Sequence, residues 1–459
     1  MKIVISGGTE IGLLFARSLA GEHDVHVIES FPHAIEQLEQ LDLQVVNGNP
    51  TSLAVLQEAR VAQADAFIGC AHSDEVNVIS CLAAKQLGKA QTFCFVNKAH
   101  YFETFAGELG EHLAIDRLIW PEMLLGEYIA QILAVPGAID VKVFEHEDLK
   151  LLEFRLKTGN SAVGKKLKDL HIPRGALAVA LFRDDKVIIP GGMTTLYRND
   201  KIIFMGHEAS MRKIESRFNP DPGKTLNVVI IGGGNVGYIL AKTLEAYSNF
   251  RIKIIEKSLP QCQLLTERLS DRVLVMHADG SDVSFLKAQQ VENCDCLVAV
   301  TGNDERNLFV AMHAKMLNVK KVMTRAHSAD NIEFFEKLGI DVALSSQFNA
   351  VQSVCRQISA DSIDVFTIFE KGKAEIREIQ VLADFPPSRL MDLKLPEGVI
   401  IAAIRRGGHT IVPGGEDKIK GKDHLRVFCA KDQGETLAEF LLQITREAAT
   451  AEEESAGGE

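Results

Sequence analysis

Short, fully apolar runs alternate with stretches of helical spacing along most of this chain. After residue 225, segments 227–231, 251–256, 272–277, 296–301 and 321–325 read as strands. Between them apolar residues recur at helical intervals, as at Val236, Leu240 and Leu244. Strands apolar throughout, alternating with amphipathic helices, predict a parallel sheet covered by helices on both faces. The N-terminus opens the same way, with Ile3-Val4-Ile5. A shorter region richer in β-type residues follows. There 177–182, 186–189 and 201–205 read as strands and 208–217 as a helix.

The pattern is duplicated. Val46-Asn47-Gly48-Asn49-Pro50-Thr51 matches Met276-His277-Ala278-Asp279-Gly280-Ser281 at an offset of 230. At the same offset Ser73-Asp74-Glu75-Val76-Asn77 falls on Asn303-Asp304-Glu305-Arg306-Asn307. Lys98-Ala99-His100 then matches Arg325-Ala326-His327 at 227. The shorter regions repeat too: Val187-Ile188-Ile189-Pro190-Gly191-Gly192 matches Thr410-Ile411-Val412-Pro413-Gly414-Gly415 at 223, which places Arg183 on Arg406 and Asp200 on Asp423. The order is A-B-A-B. Val135-Pro136-Gly137 closes the first A module, and Asn219-Pro220-Asp221-Pro222-Gly223-Lys224 is a linker between the halves. The expected division is 1–137, 138–218, 225–360 and 361–445, with 446–459 a small, acidic, disordered tail.

Composition narrows the classes. A chain of 459 residues has room for several domains. A net charge of -12 and a pI near 5.7 weigh against nucleic acid or an anionic membrane surface as partner. No apolar run reaches the length of a membrane-spanning helix, and the opening strand pattern leaves no signal peptide. Eight scattered cysteines, with no histidine cluster beside Cys294-x-Cys296, read as reduced core residues of a cytosolic protein.

Candidate chemistry lies at two strand-to-helix turns. Val229-Ile230-Ile231 runs into Gly232-Gly233-Gly234-Asn235-Val236-Gly237, and Glu256 ends the next strand. Gly232 would permit the tight turn, Gly234 the approach of a pyrophosphate to the helix N-terminus, and Gly237 close helix–strand packing. Glu256 would accept hydrogen bonds from ribose hydroxyls. Asp279, Thr301 and Arg325 end the third, fourth and fifth strands and converge on the same crevice: Asp279 for adenine or ribose, Thr301 for a phosphate or the second ribose, Arg325 for a phosphate. The fold class is therefore α/β, with two Rossmann-like parallel-sheet domains, each followed by a small α+β lobe.

The N-terminal copy keeps Gly7, Gly12, Glu29 and Lys98. It departs at Thr9, where a β-branched side chain intrudes on the phosphate space and disfavours positive φ, and at Asn49, which replaces Asp279. Glu10 adds an anion beside that turn, so its ligand stays open. No catalytic acid or base stands out, His171 and His409 being isolated, and no P-loop appears. Asp74-Glu75 and Asp304-Glu305 suit a helix N-terminus or a bound cation.

These motifs together resemble the RCK (KTN) domain family, which regulates potassium conductance. The carrying residues are the glycine turn, the acidic strand end, Ala278-Asp279-Gly280-Ser281, Ala299-Val300-Thr301-Gly302-Asn303-Asp304-Glu305-Arg306-Asn307 and the basic strand end. The shorter modules, with Val163-Gly164-Lys165 and Ile188-Ile189-Pro190, resemble the family's C-terminal lobe. The resemblance covers the chain from Met1 to about Thr445. It implies a non-enzymatic regulator binding NAD(H), ATP or ADP at Gly232, Gly234, Asn235, Val236, Gly237, Glu256, Asp279, Thr301 and Arg325. It further implies a homo-oligomeric ring, a tetramer of tandem chains, beneath a membrane potassium-translocating subunit of the Trk type on the cytoplasmic face. An NAD-dependent dehydrogenase, or a regulator of another cation channel or antiporter, is the alternative.

Overall fold

The structure, a computed structural model, describes residues 1–446 apart from 22, 42, 106–114, 145–147, 158, 185, 219–223, 361–364, 370–373, 431, 432, 434, 435 and 438. Most of the proline-rich linker and of the acidic tail lies outside the described residues.

The N-terminal sheet contains β1 (Lys2–Ser6), β2 (Asp24–Glu29), β3 (Gln44–Asn47), β4 (Ala66–Gly69), β5 (Gln91–Phe95) and β6 (Arg117–Ile119). All are parallel, in the order β3-β2-β1-β4-β5-β6. The chain order reverses beside β1, so the carboxyl ends of β1 and β4 flank a crevice. Apolar side chains fill both faces, among them Phe15, Phe67, Phe93 and Phe95, all 1% exposed or less. Each such burial contributes roughly 1.5–3 kcal/mol.

The first lobe is a five-stranded antiparallel sheet of β7 (Ala138–Phe144), β8 (Leu149–Arg155), β9 (Ala176–Arg183), β10 (Lys186–Ile188) and β11 (Lys201–His207), ordered β10-β9-β11-β8-β7. The helix Glu208–Phe218 packs on it through Met211, Ile214 and Phe218.

The second half repeats both. Its parallel sheet holds β12 (Leu226–Ile231), β13 (Phe250–Glu256), β14 (Val273–His277), β15 (Cys296–Ala299), β16 (Lys321–Arg325) and β17 (Val342–Leu344), ordered β14-β13-β12-β15-β16-β17. Its lobe contains β18 (Val365–Phe369), β19 (Ala374–Gln380), β20 (Ser388–Arg389), β21 (Val399–Arg406), β22 (His409–Ile411), β23 (Lys418–Ile419) and β24 (His424–Ala430). The main sheet runs β18-β19-β24-β21-β22, the same order as in the first lobe.

The duplicated modules associate by kind. The first compact unit is Met1–Ala130 with Gly223–Ile358, the second Gln131–Pro222 with Ser359–Glu459. Within the first unit the parallel-sheet halves exchange helices. Ala350, Val351, Val354 and Ile358, on the helix Ser346–Ala360, complete the core around Phe15 and Phe95. In the other direction, Gly126 on the helix Pro121–Ala134 lies against Val236 and Ile239. A Cβ at Gly126 would stand 2.8 Å from Ile239 Cγ2, so only glycine admits this approach. Within the second unit the lobes share a core of Phe144, Leu151 and Met205 with Ala374, Ile376 and Phe428.

Arg183 and Asp200, matched by the repeat to Arg406 and Asp423, form bidentate ion pairs. Arg183 Nε and Nη2 donate to Asp200 at 2.8 and 2.7 Å; Arg406 Nε and Nη2 donate to Asp423 at 2.7 and 2.6 Å. Each aspartate is 1% exposed, and the pairs tie β9 and β21 to the residues just before their sheet neighbours β11 and β24. Among the described residues no helix is long and apolar enough to cross a membrane.

Candidate functional site

At the second glycine turn the backbone itself requires glycine at two of the three positions. Gly232 adopts φ +105°, and a Cβ there would come within 3.0 Å of Thr301 N. A Cβ on Gly237 would stand 2.0 Å from the carbonyl oxygen of Gly232, so helix and strand approach as closely as expected. Gly234 differs. It precedes the helix Asn235–Leu244 with φ −67°, and a Cβ there would meet no atom within 4 Å. Its missing side chain leaves space and serves no protein packing. Thr9 occupies the matching position with φ −72°, so the expectation of a backbone penalty at Thr9 is corrected: any residue adopts this conformation. What distinguishes Thr9 is the bulk placed in that space.

A cavity of about 430 Å³ opens at the carboxyl ends of β12, β13, β14, β15 and β16. That is the size of a small-ligand site. Gly232, Gly234, Asn235, Val236, Glu256, Asp279, Thr301 and Arg325 all line it; Gly237 lies behind them in the helix. Glu256 accepts from the N–H of Gly233 at 2.7 Å and of Ser258 at 2.7 Å, which fixes its carboxylate at the sheet end. Asp279 accepts from Lys257 Nζ at 2.7 Å and Ser281 Oγ at 2.6 Å. Those bonds, Lys257 first, hold its carboxyl well below the usual aspartate range.

Thr301 follows β15, and its N–H and Oγ1 donate to Asn307 Oδ1 at 2.8 and 2.7 Å. The buried Asn307 donates in turn to the carbonyls of Thr301 and Arg325, bracing two strand ends. Asn77 does the same in the first half, at Ala71 and Phe95. Asp74 and Asp304 accept from backbone N–H groups after the fifth strand: Asn97 and Lys98 for one, His327 for the other. Among the described residues no group of three or more His, Cys, Asp or Glu side chains is placed to hold a metal ion.

Sequence reasoning missed Glu122, Lys257, Gln261 and Arg306 in this cavity. Glu122 belongs to the N-terminal half. It accepts from Asn235 Nδ2 at 2.7 Å and Arg325 Nη1 at 2.9 Å, across 203 positions of sequence from Arg325. No local motif announces such a contact. Lys257 directly follows Glu256, and Arg306 sits inside a motif already singled out, so both were within reach.

The N-terminal turn repeats the backbone and changes the surroundings. Gly7 has φ +111°, and a Cβ on Gly12 would stand 1.8 Å from Gly7 O. Glu29 is 4% exposed and accepts three backbone N–H bonds, from Gly8, Ser30 and Phe31 at 2.5, 2.6 and 2.9 Å. Asn49 keeps the turn that Asp279 makes, accepting from Thr51, but carries no charge. Lys98 does not repeat the placement of Arg325: its ammonium pairs with Glu75 at 3.3 Å. Glu75 also accepts from Ser73 and Tyr101, and these bonds lower its carboxyl to about 2.

The TrkA-N domain matches residues 3–121 and 228–346, and the TrkA-C domain matches 151–219 and 388–442. The chain is 33% identical over 438 residues to Trk system potassium uptake protein TrkA homolog 1 of Methanosarcina mazei, covering 93% of this chain and 97% of that one. It is 30% identical over 455 residues to Trk system potassium uptake protein TrkA of Halomonas elongata, covering 97% and 99%. Among solved structures, the GsuK RCK domain superposes with a TM-score of 0.61 at 19% identity, over 96% of this chain and 95% of that one. The GsuK channel bound to NAD gives 0.61 at 18%, over 96% and 79%. These last two share the fold.

Proposed function

The chain belongs to the TrkA family of Trk system potassium uptake proteins, with TrkA-N and TrkA-C domains in tandem, and from that premise we propose that it is the nucleotide-binding regulatory subunit of a Trk-type potassium transporter. The observation that carries this reading is the cavity over Gly232–Gly237, where glycine turn, ribose-ready Glu256 and strand-end Asp279 face one space. Its ligand is NAD(H), with ATP or ADP as adenosine-bearing alternatives. The adenosine ribose meets Glu256 and the pyrophosphate lies on the N–H groups of the helix Asn235–Leu244, with Arg306 and Arg325 lining the same cavity.

The chain performs no turnover in this reading. It assembles as a homo-oligomeric ring, a tetramer of tandem chains, on the cytoplasmic face of the membrane subunit. The ligand shifts the ring between states by binding one of them more tightly. The modules divide at 137, 218 and 360, a parallel sheet preceding each lobe.

Isothermal titration of the full chain with NADH, NAD, ATP and ADP tests the site. Saturable binding is expected, weakened about tenfold for NADH in Glu256→Ala, as loss of a charge-assisted hydrogen bond implies. Potassium uptake by cells carrying the membrane subunit, with and without this chain, tests the role. Absence of nucleotide binding, or uptake indifferent to the chain, would overturn the reading.

A further inference from the structure

Glu122 occupies one end of the cavity, and its position has a chemical consequence for ligand choice. The two groups it engages, Asn235 at the helix N-terminus and Arg325 at the end of β16, are the donors that a phosphate would use there. A carboxylate is itself an oxyanion of similar hydrogen-bonding geometry. Its side chain is 26% exposed and that of Arg325 is 14%, so the pair is shielded from bulk water, where repulsion would be weak.

The charges lining the cavity balance: Glu122, Glu256 and Asp279 against Lys257, Arg306 and Arg325. Lys257 is committed to Asp279 and Arg325 to Glu122. Arg306 is exposed, and among the described residues its guanidinium has no ion pair. The cavity therefore offers one uncommitted cation, enough to favour a pyrophosphate lying on the glycine turn. A further phosphate at the Asn235–Arg325 end would sit against the Glu122 carboxylate or have to displace it.

The geometry points to Glu122 as a specificity-determining residue that holds the place of a terminal phosphate, so that the cavity takes dinucleotides in preference to nucleoside triphosphates. A dinucleotide presents a second nucleoside at that end, whose hydroxyl groups donate to a carboxylate; a triphosphate presents only acceptors and negative charge. The N-terminal half supplies the same sign from another source. There the residue three after the first glycine is Glu10 instead of Asn235, and the partner of Glu122 in the repeat is the neutral Gln347.

This inference rests on the nucleotide reading of the cavity, and the test separates the two. The full chain and its Glu122→Gln and Glu122→Ala variants are titrated with NADH and ATP in buffer containing EDTA, so that no metal ion masks the carboxylate; thermal melts confirm folding. The expected result is an ATP affinity raised about tenfold or more in Glu122→Gln, with NADH affinity lowered by up to about tenfold as the hydroxyl contact weakens, so that the ATP-to-NADH affinity ratio rises. Glu122→Ala reports the same ratio if the glutamine variant folds poorly. An unchanged ATP-to-NADH ratio in both variants overturns the role of Glu122 while leaving the nucleotide site intact. Absence of binding by either nucleotide to the unaltered chain overturns the nucleotide site itself, and this inference with it.

Discussion

The ring of Phe31 meets the imidazole of His72 edge-on, with centroids 5.5 Å apart and planes at 79°. Phe31 follows β2 and His72 follows β4, the two strands flanking β1, so the contact bridges the crevice above the N-terminal glycine turn. The matching positions of the second half are Ser258 and Gly302, which leave the crevice open. With Glu29 buried and three of its roughly four acceptor sites taken by backbone N–H groups, and with the ring pair across its mouth, the first crevice is expected to take no dinucleotide. Titration of the full chain should give one NADH per chain. Phe31→Ser with His72→Gly should not by itself create a second equivalent, because Thr9 and the buried, largely occupied Glu29 remain.

Gly234 separates packing from ligand space. Gly234→Thr imports the residue of the first half at a site with φ −67° and open surroundings. Threonine is an acceptable helix N-cap, so the melting curve should shift by no more than about 1 kcal/mol. NADH affinity should nevertheless fall about tenfold or more, measured by titration. Gly237→Ala should do the reverse and unfold first, since its Cβ would stand 2.0 Å from Gly232 O.

The buried ion pairs of the lobes give a stability test. Arg406→Ala leaves Asp423, 1% exposed, without its guanidinium. A loss of about 3 kcal/mol is expected in denaturant melts. Replacing both residues by apolar ones of similar volume should recover most of it, because the uncompensated buried charge then disappears. Arg183 and Asp200 should behave in the same way.

Thiol ionisation sets an alkaline limit. Burial pushes the Cys70 and Cys81 thiols well up, and burial together with the nearby Asp295 raises Cys294 to about 12. None of the eight cysteines is in a disulfide. A folded-state value above the unfolded one of about 8.5 stabilises the fold fully below that pH and is lost as pH rises toward the folded value. Stability should therefore decline from pH 8.5 upward, by roughly 2 kcal/mol per such thiol at pH 10. Thermal melts across this range check it, as does slow labelling of native protein by a thiol reagent at pH 8.

The parallel sheets were legible because their chemistry is local. Gly232, Gly234, Glu256 and Asp279 each sit at the end of an apolar strand, and the fold brings strand ends together whatever lies between. The strands β7 and β8 were not read, since Asp140, Lys142, Lys150 and Glu153 interrupt their apolar pattern. The three-residue β6 and β17 were too short to show a period. Arg183 on Arg406 and Asp200 on Asp423 were visible as repeats, but only coordinates turn four matched letters into two ion pairs. Glu122 was invisible for a topological reason, its partners lying in the other half.

The exchanged helix Ser346–Ala360 has a consequence for heredity as much as for folding. Were each half a separate chain, this arrangement would be a twofold dimer, and every substitution would strike both crevices at once. Joined in one polypeptide, the crevices accept substitutions independently: Thr9 against Gly234, Phe31 against Ser258, His72 against Gly302. One crevice can be closed and kept as scaffold while the other stays tuned. The same exchange means that neither half carries its full core alone, so a cut between them would leave two fragments that seek each other out.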